Sequence, residues 1–240
     1  MNYLQNIATL YQLDHLPCGL PEAEITAAEQ RLGIRFPAML REYLLTLGGS
    51  EAVNQSFHRL LPLEKMDFDD DYLVLIEEYQ GVFLCGIAKA DLAQDNPPVH
   101  IGFYTDKTES YEWQTHLPDT SALLLELAYT NAAMGGLRYC ANIMDEESTD
   151  AQAVQLIQQN RTEIIELRQE NQRFYTDGFH EIILLCFAEN GNTSGVFIGT
   201  ADQDRFDTLL ELFGWDNWLY TSYDEEDEDE DEDDEECDEE

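Results

Sequence analysis

The sequence predicts an α+β fold, in which a small antiparallel sheet flanked by helices is followed by a second, smaller α+β region and an acidic tail. Two apolar, β-rich runs, 72–76 and 82–87, are joined by a connection that ends in Gly81. Glycine adopts positive φ without steric cost, so this pattern is typical of a β-hairpin. Helical patterns lie before and after the hairpin. Of the last 17 residues, 224–240, all but Cys237 are acidic, and we expect that tail to be disordered because it has no residues for a core.

Three helices are expected before the hairpin. Residues 2–13 have an apolar stripe at helical spacing. Pro21 begins the second helix, because its missing N–H costs nothing in a first turn, and Gly33 ends it. The third helix begins after Pro37, carries an apolar stripe and ends at Gly48.

The sheet is expected to continue after the hairpin. Residues 99–104 form a third β-rich run, and residues 109–116 alternate apolar and polar side chains as a half-buried strand does. Residues 118–121 offer N-cap side chains for a following helix. Its apolar face lies on leucines and alanines, and Gly135 ends it.

These patterns divide the chain into a first domain, 1–138, a region at 139–223 and the acidic tail at 224–240. The middle region is interpreted either as a second small α+β domain or as an extension packed on the first. Its expected elements are a long polar helix (151–172), a strand (179–187), the hairpin partner of that strand (195–199) and a helix (202–213).

The charge of the chain restricts its partners. It has 51 acidic and 12 basic residues, a formal net charge of -39. Residues 1–138 carry 20 acids and 8 bases, and residues 139–223 carry 15 and 4, so the acidity belongs to the whole chain. Such a chain repels nucleic acid and anionic membranes and attracts basic proteins. We therefore expect a basic protein as partner, with no nucleic acid and no membrane.

The cysteines and the N-terminus predict a cytoplasmic location. The five cysteines are widely spaced and form no Cys-x-x-Cys pair, and an odd number without a framework suits a reducing compartment. The N-terminal residues lack the basic and long apolar parts of a signal peptide. No stretch reaches the 18 apolar residues of a membrane span.

Motifs for catalysis or metal binding are incomplete. His180 begins a zincin-like pattern, but Leu184 occupies the position of the second histidine ligand. The acidic stretch that begins at Asp67 is similar to a calcium loop, but Tyr72 occupies the position where the turn requires glycine. We find no nucleophile elbow, triad or phosphate loop. The sequence therefore predicts no enzyme, no metal and no cofactor.

One set of residues resembles the SUKH superfamily, the fold of the fungal Smi/Knr-type cell-wall synthesis regulators and of many bacterial immunity proteins. The similar positions in the first half of the domain are Glu29, Leu32-Gly33, Phe36-Pro37 and Gly48-Gly49. The similar positions in the second half are Glu77-Glu78-Tyr79-Gln80-Gly81, Cys85-Gly86 and Asn96-Pro97-Pro98-Val99. Tyr79, Cys85 and Asn96 depart from the family pattern. The resemblance covers roughly residues 15–138.

The resemblance implies one of two functions. The first is an immunity protein that neutralises a cognate toxin by direct binding in bacterial conflict systems, such as contact-dependent inhibition or toxin–antitoxin pairs. The acidity is consistent with a basic, nuclease-type toxin. The second is an acidic scaffold or regulatory protein similar to the cell-wall synthesis regulators. The sequence leaves the oligomeric state open.

Ten residues are candidates for contact with a partner. The adjacent carboxylates of the hairpin loop suit a binding edge, and Trp113 with Tyr111 suits a pair of surface anchors. The aromatic side chains next to the acidic tail suit an arginine-rich partner, and the tail acids attract a basic protein. The ten candidates are Glu77, Glu78, Trp113, Trp215, Trp218, Tyr220, Tyr223, Asp224, Glu225 and Glu226. Several of them have an alternative interpretation. The two glutamates of the hairpin loop suit a solvated turn, Trp113 suits core packing, and the tail acids also keep a protein soluble.

Overall fold

A computed structural model describes the chain at residues 3–13, 18–106, 109–147 and 149–224. The chain divides into two compact units, Met1–Asn131 and Ala132–Glu240. Among these residues, each unit contains one antiparallel sheet of six strands with helices, which confirms the predicted α+β fold. The sequence places a boundary after residue 138, and the structure divides the chain after residue 131. The tail beyond Asp224 lies outside the described residues.

The first unit follows the predicted order of elements. Its helices are α1 (Tyr3–Leu10), α2 (Glu22–Leu32), α3 (Ala38–Leu47), α4 (Glu51–Asn54) and α5 (Thr120–Asn131). Its strands are β1 (Arg59–Leu60), β2 (Phe68–Asp69), β3 (Tyr72–Glu77), β4 (Phe83–Ala88), β5 (Val99–Thr105) and β6 (Ser110–Leu117). The strand order is β1-β3-β4-β5-β6, and β2 pairs with β3.

The local signals explain these boundaries. Pro21 precedes α2, and Gly33 ends it in the left-handed region with φ of 68°. The predicted hairpin forms between β3 and β4, and its sheet buries one face completely, with Leu73 and Ile87 both at 0% exposure. Helix α5 is buried nearly all round and supplies Leu124 to that core.

The second unit begins with a five-residue π-helical turn, Ala132–Gly136. Its helices are α6 (Ala151–Asn160) and α7 (Gln203–Phe213). Its strands are β7 (Tyr139–Ile143), β8 (Thr162–Glu163), β9 (Gln172–Thr176), β10 (Glu181–Phe187), β11 (Thr193–Thr200) and β12 (Tyr220–Thr221). The strand order is β12-β7-β11-β10-β9-β8. Short 3₁₀ turns lie at Ile165–Leu167 and Trp215–Asn217.

The predicted hairpin of β10 and β11 and the predicted helix α7 are confirmed. Asp150 and Asp202 cap α6 and α7 by accepting hydrogen bonds from the backbone N–H groups of Gln152 and Arg205. One core packs β7, β10 and β11 against both helices, and includes Ile157, Ile183, Val196, Phe206 and Phe213.

The prediction of a single helix over 151–172 is wrong. Helix α6 ends at Asn160, and Thr162 and Glu163 pair with β9 instead. The backbone N–H of Ile164 donates to Phe174 at 2.9 Å, which continues the pairing. Three β-branched residues within four positions favour an extended chain. Strands β7 and β9 were not predicted, because five residues are too few to show a clear alternation.

Among the described residues, no helix combines the length and apolar composition needed to cross a bilayer.

Candidate partner-binding surface

The first unit's sheet exposes a row of aromatic side chains on the face opposite its buried core. We define this open face by Tyr72, His100, Tyr104, Tyr111 and Trp113. Side chains alternate across a strand, so residues paired in register share a face. Tyr104 pairs with Tyr111, and Trp113 pairs with Gly102. Tyr104 is 49% exposed, and the other four side chains are half-buried. The sheet therefore carries an aromatic surface that solvent reaches.

The indole of Trp113 is held at a defined position on the open face. A Cβ atom at Gly102 would lie 2.9 Å from two carbons of the indole, so the ring covers this glycine. Tyr72 stacks on the indole at 4.3 Å between ring centroids, with an angle of 12° between the planes. The indole Nε1–H donates to Asp69 Oδ2 at 2.9 Å. Trp113 is therefore part of an ordered surface and lies outside the helix-covered core.

Carboxylates lie at the margin of the open face. Burial raises the pKa of the Tyr111 phenol, and the nearby charges of Glu77 and Asp69 raise it further. The Tyr111 ring meets the Tyr104 ring edge-on at 5.6 Å. This places two negative charges beside a surface of electron-rich rings.

The two glutamates of the β3–β4 loop have different surroundings. The Glu78 carboxylate accepts hydrogen bonds from the backbone N–H groups of Gln80 at 2.8 Å and Val82 at 3.1 Å. Glu78 therefore stabilises the loop to which it belongs. Glu77 ends β3 opposite Leu84, on the side of the open face. Of the two predicted glutamates, Glu77 is the one that lies beside the rings of the open face.

A second aromatic group lies at the end of the first sheet and was missed by the sequence interpretation. Phe57 stacks on Tyr79 at 5.9 Å, and His58 meets Phe83 edge-on at 5.3 Å. Tyr79 and Phe103 are 54% and 41% exposed. The segment that carries Phe57 has no regular pattern in the sequence, so only the fold brings it to the loop.

The predicted aromatic residues of the second unit divide into two groups. Trp218 packs against the core, and its Nε1–H donates to the Leu210 carbonyl at 3.3 Å. Tyr223 also packs against that core and donates to Asp207 Oδ1 at 2.7 Å. Burial, with the hydrogen bond to Asp207, raises the pKa of Tyr223 to about 12. Both rings therefore contribute to packing.

Other predicted residues of this region are more accessible. Trp215 is 49% exposed in its 3₁₀ turn, and Tyr220 is half-buried in β12 opposite Asn142. Asp224 is exposed and accepts a hydrogen bond from the Thr221 N–H at 2.7 Å. Glu225 and Glu226 lie outside the described residues.

Several cationic side chains are occupied by the protein's own oxygen atoms. Arg31 donates to the carbonyls of Leu63 and Met66. The other arginines paired with carboxylates are Arg41 with Glu22 and Glu29, Arg161 and Arg205 with Glu181, and Arg168 and Arg173 with Glu163. The surface potential is therefore set by carboxylates that have no cationic partner, since acids outnumber bases by 51 to 12.

Two features bear on whether the protein has a chemical site, namely the placement of metal-binding side chains and a groove beside α2. Within the described ranges, no group of three or more histidine, cysteine, aspartate or glutamate side chains is placed to hold a metal ion. A groove of about 1130 Å³ lies between α2, the start of α3 and the loop around Leu92. One of its acids, Glu29, accepts a hydrogen bond from the Phe36 N–H at 2.9 Å and lies 3.5 Å from Arg41. That carboxylate is engaged in holding the fold.

The residues that carry the resemblance have structural contacts. Glu29 ties α2 to the turn before α3, as described above. Asn96 accepts from the Ser121 N–H at 3.0 Å and so fixes the start of α5. Cys85 is buried in β4, and burial raises the pKa of its thiol. The family motif therefore marks residues that hold the fold together. It does not mark the residues of the open face.

The model of the family described as SMI1 / KNR4 family (SUKH-1) matches residues 19–239. The match extends beyond residue 138, where the resemblance in sequence was expected to end, and it includes residues of both units. No curated protein matches the chain, and no solved structure matches it.

Proposed function

This chain belongs to the SMI1/KNR4 family (SUKH-1), and we propose that it is an immunity-type protein that neutralises a basic toxin by binding it directly. Family membership is consistent with an immunity or a regulatory role, and members of the family are typically immunity proteins without enzymatic activity. The proposal adds the chemical nature of the partner, a cationic protein of the nuclease type. It also adds the mode of action, which is occupation of the toxin without a reaction.

The observation that supports this proposal is the uncompensated negative charge. The chain has a formal net charge of -39, and arginines such as Arg31, Arg41 and Arg161 are bound to oxygen atoms of the protein itself. A field of this strength attracts cationic proteins over distances longer than one contact. A nuclease has a basic cleft because its substrate is a polyanion, so its surface is complementary to this one.

The proposed mechanism has two stages. Long-range attraction first raises the rate of encounter with the basic toxin. Short-range contacts then slow dissociation, and exposed aromatic side chains such as Tyr104 and Trp215 are suited to that task because aromatic residues are enriched among binding hot spots. Specificity would come from this second stage, since charge alone attracts many cations.

The first test is capture of the partner from the native host by the full chain. We expect one basic polypeptide in stoichiometric amount. A diffuse set of weakly bound proteins would instead support the alternative, an acidic scaffold or regulator whose tail recruits several partners. Capture of no basic polypeptide under conditions in which the toxin is produced would contradict the proposal.

The second test is the salt dependence of association with the captured partner. We expect the association rate to fall by roughly tenfold or more between about 20 and 300 mM salt, with a much smaller change in the dissociation rate. A chain that ends at Asp224 lacks 15 acidic residues and should associate more slowly at low salt. An association rate that is unchanged by both salt and truncation would exclude electrostatic steering.

A further inference from the structure

The geometry of the open face points to a binding site for arginine side chains carried on an extended segment of the partner. We propose that the guanidinium groups stack on the rings of Tyr104 and Tyr111 and on the exposed part of the stacked Tyr72–Trp113 pair, while Asp69 and Glu77 neutralise their charge. This inference rests on the proposed function, because it specifies which chemical group of a basic partner is bound and where.

The rings are arranged for stacking on a planar cation. The indole of Trp113 lies flat over Gly102, and Tyr72 is nearly parallel to it. A cation over the face of tryptophan or tyrosine is attracted by the negative face of the ring. The indole edge is already occupied, because Nε1–H donates to Asp69. Tyr72 and Trp113 are both half-buried, so the stacked pair offers the part of its ring surface that stays exposed, and no free indole donor.

The charge at this site favours a cation. The Asp69 carboxylate accepts a hydrogen bond from the indole N–H of Trp113 at 2.9 Å, and Glu77 ends β3 opposite Leu84 on the side of the open face, so two carboxylates adjoin the rings. A guanidinium group pairs with carboxylates and stacks on aromatic faces at the same time, whereas a lysine ammonium is a strongly hydrated point charge. The surroundings thus discriminate between the two basic side chains as well as between cations and neutral groups.

The spacing of the rings suits an extended chain. Tyr111 and Trp113 are two residues apart on β6, so they project from the same face at a separation of about 6.8 Å. An extended peptide places alternate side chains at the same separation. Strand β6 is also the last strand in the order of its sheet. A partner segment that runs along β6 with arginine at alternate positions would therefore direct successive guanidinium groups to the side of the open face.

The test is a titration of the full chain with a peptide in which arginine alternates with glycine, followed by the indole N–H signals in an NMR spectrum. The Trp113 signal is identified as the one missing from Trp113→Phe. We expect this signal to shift, and we expect binding about two- to fivefold tighter than for the corresponding lysine peptide. A citrulline peptide, which has the same shape without the charge, should leave the signal in place.

Two variants test whether the arginine peptide binds at the open face. Tyr104→Ala removes an exposed ring of the open face and should weaken binding of the arginine peptide about two- to fivefold. Tyr79→Ala removes a ring of similar exposure, 54%, from the other aromatic group, and should leave binding unchanged. Both side chains are accessible, so neither change is expected to unfold the protein.

Three results would overturn the inference. The Trp113 signal stays in place while the arginine peptide binds elsewhere; the arginine and lysine peptides bind equally well; or a neutral oligosaccharide shifts the signal instead. The proposed function is tested separately by capture of the native partner. If a basic polypeptide is captured and Tyr104→Ala does not affect its affinity, this inference fails and the proposed function stands. If no basic polypeptide is captured, the proposed function fails, whatever the peptide titration shows.

Discussion

At the scale of single residues, a buried carboxylate joins three elements of the second unit. Glu181 begins β10, and its side chain is 2% exposed. Arg161, at the end of α6, lies 2.9 Å from one of its oxygens, and Arg205, on α7, lies 3.3 Å from the other. Two cations from different helices thus compensate one buried charge. Such a pair is costly to break, because the remaining charge keeps its loss of hydration.

We predict that Arg161→Met lowers the free energy of unfolding by about 2–4 kcal/mol, because Arg205 alone then compensates Glu181. The matched control is Arg168→Met, since Arg168 is 50% exposed and pairs with Glu163 at the surface. That control should leave the urea midpoint close to that of wild type. Equal midpoints for the two variants would show that burial does not strengthen the Glu181 interaction.

His58 makes the stability of the first unit depend on pH. Its ring lies between Phe57 at 4.7 Å and Phe83 at 5.3 Å, and its Nδ1 is buried without a hydrogen-bond partner among the described residues. Burial lowers its pKa below the ordinary value of 6.5, and the charges of Glu78 and Glu126 only partly oppose this. Below pH 6.5, the unfolded chain binds more protons at His58 than the native protein does. The contribution of neutral His58 to stability is therefore complete above pH 6.5 and decreases as the pH falls towards the lowered pKa.

We predict that His58→Phe, which keeps a ring in the cluster, removes this dependence. The free energy of unfolding of wild type minus that of the variant should decrease between about pH 7.5 and 5, measured by urea denaturation at each pH. The subtraction cancels the titration of the many carboxylates that both proteins share. A difference that stays constant over this range, or that grows as the pH falls, would contradict the burial of a neutral imidazole.

At the scale of elements, the pairing of β5 with β6 creates the open face. Gly102 lacks a side chain opposite Trp113, and this gap allows the indole to lie flat on the sheet. Tyr72 and Asp69 then hold the ring from β3 and β2. The orientation of a ring from the edge strand thus depends on three other strands.

We predict that Gly102→Ala displaces the indole, since the new methyl group would lie 2.9 Å from its carbons. The expected cost is about 1–3 kcal/mol of unfolding free energy, with a shift of the Trp113 indole N–H signal. Gly195→Ala is the matched control in a strand, because its nearest neighbours would be 3.4 Å away. An unchanged indole signal in Gly102→Ala would show that the ring does not depend on this glycine.

At the scale of the whole molecule, the excess of acidic residues opposes folding, besides its proposed role in attracting a basic partner. A formal net charge of -39 destabilises a compact chain by self-repulsion. The local ion pairs of Glu181 and Glu163 involve only a few of these acids. Screening of the remaining charges should therefore outweigh the weakening of those pairs.

We predict that the urea midpoint of the full chain rises with sodium chloride, most steeply up to about 150 mM, where the screening length is roughly 8 Å. The measurement is a series of urea denaturation curves at fixed pH. Sucrose at matched osmolarity is the control for effects unrelated to charge. A midpoint that falls with salt would mean that attractive pairs dominate the electrostatics of the native state.

Much of the fold was predictable, because local physics determines it. Pro21 and Gly33 mark the ends of α2, and the apolar runs of β3 and β4 are joined by a glycine-containing loop. The helix expected at 151–172 ends at residue 160. Beyond it, strand pairing with β9 outweighs the helical preference of a thin apolar stripe. Long-range pairing of this kind leaves little trace in a short window of sequence.

The sequence by itself determined the acidity of the chain, its family motif and most of its helices and strands, since composition and local periodicity carry that information. The tertiary structure alone decided which candidate side chains are accessible. It placed Trp113 on an open face. It directed the Glu78 carboxylate to backbone N–H groups of its own loop, and it packed Trp218 and Tyr223 against a core. The physical reason is that the accessibility of a side chain depends on neighbours that are distant in sequence, and only the folded chain brings those neighbours together.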